Sequence, residues 1–400
     1  MNLKLHIKIA LGYFFIVALL GVFMRMFQVV DFEFNYKNIL HAHSHVALLG
    51  WIYTAITTLI YKFYLSEKSV DKRYKALFWS TQVTIIGMLL TFPFIGYALF
   101  SIVFSTLFLI ASYFFVWFFL KHTSSTQKET NSYKFIRASL WFMVLSSLGP
   151  WVLGVIMNTL GSTSSWYRNA IYFYLHFQYN GWFIVALFGI LFFIFEKYSI
   201  QLAKKTFKQF LWLLNTGVIL TFFLSILWMK PHLVFYILGG LGGIFQLIAF
   251  GILLRIILQN KEILLSSFSK FEGLLLKTVG ILFLLKLIIQ ILGAIPFIAA
   301  VVSTNMDFVI GYLHWVFLGL ITISLFVFLN HVKLLVISKR TYTLYLTAFI
   351  LTEVLIFYKG VIAWLGGSLF DDYFTYLFIA SALFLIPIID MFFNQFRKKK

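Results

Sequence analysis

Three histidines stand within five residues: His41, His43 and His45, in the run His41-Ala42-His43-Ser44-His45. They open an apolar stretch long enough to cross a bilayer. Imidazole is the commonest metal-binding side chain. A polar group at membrane depth is costly, so it usually marks function. The spacing also has counterparts. His45-x4-Gly50-Trp51 returns as His176-x4-Gly181-Trp182, and in reduced form as His314-x4-Gly319-Leu320. A pattern that returns at a steady interval marks a repeated structural unit.

These residues are carried by membrane helices. Hydrophobic residues form 62% of the 400-residue chain and charged residues 11%, a composition that belongs to a polytopic membrane protein. Apolar runs of about 20 residues predict twelve spans, near 9–30, 40–64, 76–96, 99–120, 138–160, 169–195, 209–229, 232–256, 276–302, 308–331, 342–364 and 374–393. The fold class is therefore all-α. The run after Lys4 and Lys8 continues past Leu20 without a small-residue cleavage site and reads as a retained first helix. The third and fourth spans are parted only by a turn near Pro93 and Gly96. The link 257–275, with Ile263, Leu264, Phe268 and Leu274 among Ser and Lys, suits a segment lying on the membrane.

Charge sets the expected orientation. With the N-terminus cytoplasmic, 26 of the 32 Lys and Arg fall at cytoplasmic ends and loops, the tail Arg397–Lys400 included. This is the positive-inside pattern. The net charge of +19 thus reflects topology and contact with anionic lipid, not nucleic-acid binding. The expected location is a bacterial cytoplasmic (inner) membrane with both termini inside.

The three repeated histidines then lie on the second, sixth and tenth spans, four spans apart. This predicts one transmembrane domain of three four-helix units, about 1–130, 131–270 and 271–400, around a central site. All three helices enter from the outer side, and each histidine is roughly 8–10 Å below its helix end at 1.5 Å per residue. The glycine five residues on would relieve crowding against a ring or a neighbouring helix. His41 is one turn above His45, either a second ligand or an entrance residue. His43 points to another face and suits a separate metal. His232 begins the eighth span, and His6, His122 and His331 sit at helix ends as surface residues. The chain has no cysteine, which excludes disulfides, thiolate metal sites, iron–sulfur clusters and covalently attached c-type haem.

Twelve helices with histidines on the second, sixth and tenth resemble the main subunit of the haem–copper oxidases and nitric oxide reductases. His41-Ala42-His43-Ser44-His45 also looks similar to the histidine-rich opening of the NnrS family of haem- and copper-containing membrane proteins. The resemblance spans the chain as a helix pattern and rests, as motif, on three short stretches. It implies a haem held by His45 and His314, with His43 the alternative to His45, and copper on His176, or on His41 or His43. The chain departs from the oxidases in two places. The seventh span has no histidine, and the tenth shows Tyr312-x-His314 where the oxidases have His-x-His. A full oxygen-reducing centre is therefore not expected.

Other buried charges complete the inventory. Lys286 and Glu353 both fall near the bilayer midplane, where an isolated charge is costly and a pair is tolerated. They are expected to be neighbours, serving either a proton route or a structural tie. Arg25, Arg168 and Lys230 lie on the outer side, where haem propionates need cations and where long cationic side chains also snorkel. Gly239, Gly240, Gly242 and Gly243 suit close helix packing. The leading expectation is a haem- and/or copper-binding membrane protein in electron transfer or the handling of oxygen or nitric oxide. Its partners would be a respiratory-chain subunit or an electron donor. The alternatives are a proton-coupled transporter and a non-catalytic assembly or partner subunit.

Overall fold

The computed structural model describes residues 1–30 and 33–395. The basic tail Arg397–Lys400 lies outside the described residues. The chain is 85% helical with no strand among the described residues. Twelve helices are long and apolar enough to cross a membrane, as a bilayer requires of a chain that must satisfy its own backbone hydrogen bonds.

In order, the spans are Leu3–Met26, Tyr36–Tyr64, Asp71–Ile95, Leu99–His122, Asn131–Thr159, Ser165–Lys197, Lys204–Met229, Leu233–Gln259, Lys270–Gly293, Met306–His331, Lys339–Leu365 and Tyr373–Asn394. The expected turn between the third and fourth spans is built on Gly96 at φ +59°, a left-handed conformation that suits glycine. Ser101 closes it, accepting from the Ala98 N–H at 2.9 Å and donating to the Gly96 carbonyl at 2.6 Å. Two expectations fail. His6, read as a surface residue, is buried at 3% exposure and stacks on Phe78 at 3.5 Å. The ninth span stops at Gly293 rather than reaching 302, and a separate helix, Pro296–Thr304, follows. Pro296 lacks an N–H and its ring would clash with the preceding turn, so it starts a new helix at its first position.

Burial separates the spans into two classes. The second, sixth and tenth are 83, 89 and 67% buried over their apolar windows, against 33–44% for the other nine. The three spans that carry the histidine repeat are thus the inner helices. Each also leaves regular α geometry at the same place. Wide-turn π-helix begins immediately after the histidine, over Val46–Tyr53, Phe177–Ile184 and Trp315–Ile321. π-helix is rare and concentrates at functional sites. Thr54 and Thr322 close two of these segments by donating to carbonyls five residues back, Leu49 at 3.2 Å and Phe317 at 2.7 Å.

The helices form two compact units. The first comprises 1–125, 325–362 and 366–400. Its core includes Trp51 stacked on Phe14 at 4.9 Å, with Tyr345 against Phe14 and Phe326. The second comprises 126–324 and 363–365. There Phe135, Phe192 and Phe210 join the fifth, sixth and seventh spans. Glu196, near the end of the sixth span, accepts from the Asn131 and Ser132 N–H groups at 2.7 and 3.0 Å and caps the fifth.

The repeat's glycines have one job in both units. A Cβ on Gly50 would lie 2.8 Å from Tyr13 of the first span, and one on Gly181 would lie 2.6 Å from Phe142 of the fifth. In each case an aromatic ring of the preceding span rests on the π segment's backbone. Gly181→Leu should therefore lower the detergent melting temperature, by the equivalent of about 1–3 kcal/mol for overpacking. Gly154→Leu, where nothing lies within 4 Å, should leave it unchanged.

Candidate functional site

The three histidines of the cluster divide between two faces. His41 and His45 share one, as their spacing of one helical turn requires. The His41 ring lies edge-on to Tyr97 at 4.5 Å, and the His45 ring lies 4.4 Å from Phe92. His45 Nδ1 is 2.8 Å from the His41 carbonyl, and its Nε2 is 3.3 Å from the Tyr97 hydroxyl. The carbonyl can only accept, so the Nδ1 carries the hydrogen and Nε2 presents its lone pair. His43 faces the first span. Its Nδ1 donates to the Val17 carbonyl at 3.0 Å, which again leaves Nε2 as the lone-pair nitrogen. Gly21 permits that approach, since a Cβ there would stand 3.2 Å from His43 Cε1.

An imidazole anchored through Nδ1–H to a carbonyl, with Nε2 free to coordinate, has the usual arrangement of a metal ligand and its orienting partner. His43 has it, and His45 has it once the Tyr97 hydroxyl, 3.3 Å from Nε2, yields its place to a ligand. His176 does not. It is buried, its Nε2 donates to the Val218 carbonyl at 2.8 Å, and its Nδ1 accepts from Asn180 Nδ2 at 3.3 Å. The Val218 carbonyl is released for this purpose by its own helix. The seventh span tightens to 3₁₀ geometry over Phe222–Met229, and the Phe222 N–H turns to Ile219 and Leu220 instead of Val218. Both ring nitrogens of His176 are thus spent on protein groups, and the expected copper ligand is a tie between the sixth and seventh spans. No group of three or more His, Asp or Glu able to hold a metal ion occurs among the described residues. The donor set fits imidazole ligation of a haem on the second span and does not fit copper at His176.

His314 ends the α-helical part of the tenth span at the junction equivalent to His45 and His176. In the second unit the π segments of the sixth and tenth spans meet. Tyr179 lies 6.2 Å from Tyr312 and 5.7 Å from Phe317, ring centre to ring centre.

Lys286 finds partners within its own unit. Lys286, 1% exposed, donates to Gln246 Oε1 at 3.2 Å, and Gln246 donates onward to Thr221 Oγ1 at 3.0 Å. The Phe283 ring lies 5.5 Å from the ammonium. Glu353, 3% exposed, lies within electrostatic reach of Arg25, which also acts on His43. Arg168 is likewise engaged, with its Nε donating to the Tyr172 hydroxyl at 2.9 Å and its guanidinium 4.3 Å over Trp228.

Sequence reasoning passed over Gln246, Asn180 and Thr221. Two of them carried a readable signal, because an amide inside an apolar span marks a buried polar contact. Tyr97 and Phe92, which flank His45, carried none, because tyrosine and phenylalanine abound throughout the chain.

His176→Ala should lower stability by about 1–3 kcal/mol, since it removes the two hydrogen bonds by which the ring joins Asn180 to the Val218 carbonyl of the seventh span. A thermal melt in detergent reads that loss, and metal content should be unaffected. Neither a protein-family model nor a curated protein sequence matches the chain; it is an integral membrane protein of twelve apolar helices.

Proposed function

We propose that this protein binds haem within the membrane and serves electron transfer or the handling of a respiratory gas, in the manner of the haem–copper oxidases it resembles. The observation that carries the reading is the coincidence of burial, histidine and π-helix. The three most buried spans each bear a histidine at the same α-to-π junction. His45 would hold the haem through Nε2, in place of the Tyr97 hydroxyl, with its Nδ1–H held by the His41 carbonyl. His43 is the alternative on the same helix, and His314, in the second unit, is a separate candidate on the tenth span. A haem held by imidazoles supplies one-electron transfer. The residues around it would fix the ring's orientation, as the Phe92 face and the His41 carbonyl do for His45. Full oxygen reduction is not part of the proposal, because His176 is committed to protein hydrogen bonds.

A second reading has its own observation. The Lys286–Gln246–Thr221 chain is a buried polar strand on a basic group, which suits proton-coupled transport. Visible spectroscopy separates the two. Protein purified from cells supplied with haem should show a reduced-minus-oxidised haem spectrum. His45→Ala should abolish it, and His176→Ala should retain it in the folded fraction. Well-folded protein without haem would leave the transport reading.

The proposed location is a bacterial cytoplasmic membrane with the histidine ends of the inner helices outward. The absence of cysteine makes the natural chain its own background for labelling. Ser162→Cys, between the fifth and sixth spans, should react with an impermeant maleimide on intact cells. Ser69→Cys, between the second and third, should react only after permeabilisation.

A further inference from the structure

Below the π segment of the second span lies a cavity of about 10 Å³, walled by Tyr53, Thr57, Tyr74, Thr81, Gln82 and Phe115. Every one of these six side chains is buried. The cavity joins the second, third and fourth spans of the first unit, and it is independent of the haem proposal.

Its hydrogen-bonding character follows from which hydrogens are already used. Thr57 Oγ1 donates to the Tyr53 carbonyl at 2.8 Å, and Thr81 Oγ1 donates to the Leu77 carbonyl at 2.8 Å. Gln82 Nε2 donates to the Phe78 carbonyl at 3.3 Å. What the two threonines offer the cavity is therefore lone pairs, while Gln82 offers its Oε1 beside one remaining amide hydrogen, and the Tyr74 hydroxyl is a further polar group of the lining. Gln82 Oε1 is buried with no protein hydrogen-bond partner, a state that costs about 1–3 kcal/mol if nothing satisfies it. A space of roughly 10–15 Å³ admits one water, which needs two to four polar partners. The lining offers that number, and a water's two hydrogens match acceptors of this kind.

We propose that the cavity is a water-binding site. The water donates to Gln82 Oε1 and to a threonine hydroxyl, and it lies against Tyr53, the last residue of the π segment that begins after His45. The third span thereby holds the end of that segment through solvent. This assigns Gln82 a positioning role for the wide-turn backbone below His45.

Radiolytic hydroxyl-radical labelling tests the water directly in the unmodified protein, because radicals form at bound water and mark adjacent side chains. Tyr53, Tyr74 and Phe115 should be oxidised several-fold above Phe135 and Tyr342, which are equally buried but lie away from this cavity. Labelling at the level of those two controls would overturn the proposal. So would labelling that disappears as sodium is raised, since that would assign the lone pairs to a cation. Gln82→Leu, of similar size, should return the three residues to the control level. It should also raise amide hydrogen exchange over 46–54 by roughly fivefold, the equilibrium worth of a lost hydrogen bond of about 1 kcal/mol. Exchange over 177–184, the matching segment of the other unit, should not change. Unaltered exchange over 46–54 would refute the positioning role.

Discussion

The structure depends on one backbone departure made three times. After His45, His176 and His314 the helix widens from α to π geometry. In a bilayer no water repairs a disturbed hydrogen-bond ladder, so such a segment persists only inside protein. That constraint explains why these three helices are the buried ones. It also explains their local chemistry. Threonines close two of the segments with hydrogen bonds to carbonyls five residues back. Glycines in two of them admit a ring from the preceding span. The other nine spans are less buried, 33–44% over their apolar windows.

The histidines share a register but have different occupations. In the second span the backbone fixes Nδ1–H, and Nε2 is the lone-pair nitrogen at His43 and at His45, where it faces the Tyr97 hydroxyl. In the sixth span the same position is consumed by a carbonyl on one side and an amide on the other. A repeat can thus preserve a residue while its chemistry changes from presenting a ligand to fastening two helices. The hydrogen-bond partner of each nitrogen distinguishes the cases, and the identity of the side chain does not. The same logic governs the charges. Lys286 rests on an amide relay within its own unit.

Much of the architecture was legible in the residues because hydrophobic length is a strong signal. Twelve apolar runs and the turn at Gly96 could be read directly. The histidine repeat also pointed to the helices that prove to be the inner ones. The break at Pro296 was legible in principle, since a proline starts helices more readily than it continues them, but the apolar run passed through it unbroken. The π segments were not legible, because Val46–Tyr53 and Trp315–Ile321 are apolar sequences that would serve equally as α-helix. The engagement of His176 was hidden for a different reason. Its partner is a backbone carbonyl freed by a 3₁₀ turn 42 residues away, and backbone carbonyls leave no trace in side-chain identity. The four-helix period likewise marks the helices without matching the two compact units, whose boundaries follow packing.

The central claim is that His45 presents Nε2 to a haem while His176 remains a structural tie. Electron paramagnetic resonance of the oxidised, purified protein tests it most directly, because ferric haem with imidazole ligation has a characteristic signal. The account predicts that signal in the natural protein, its loss in His45→Ala and its persistence in folded His176→Ala. Folded natural protein with no haem signal, or with a copper signal that vanishes in His176→Ala, would contradict it.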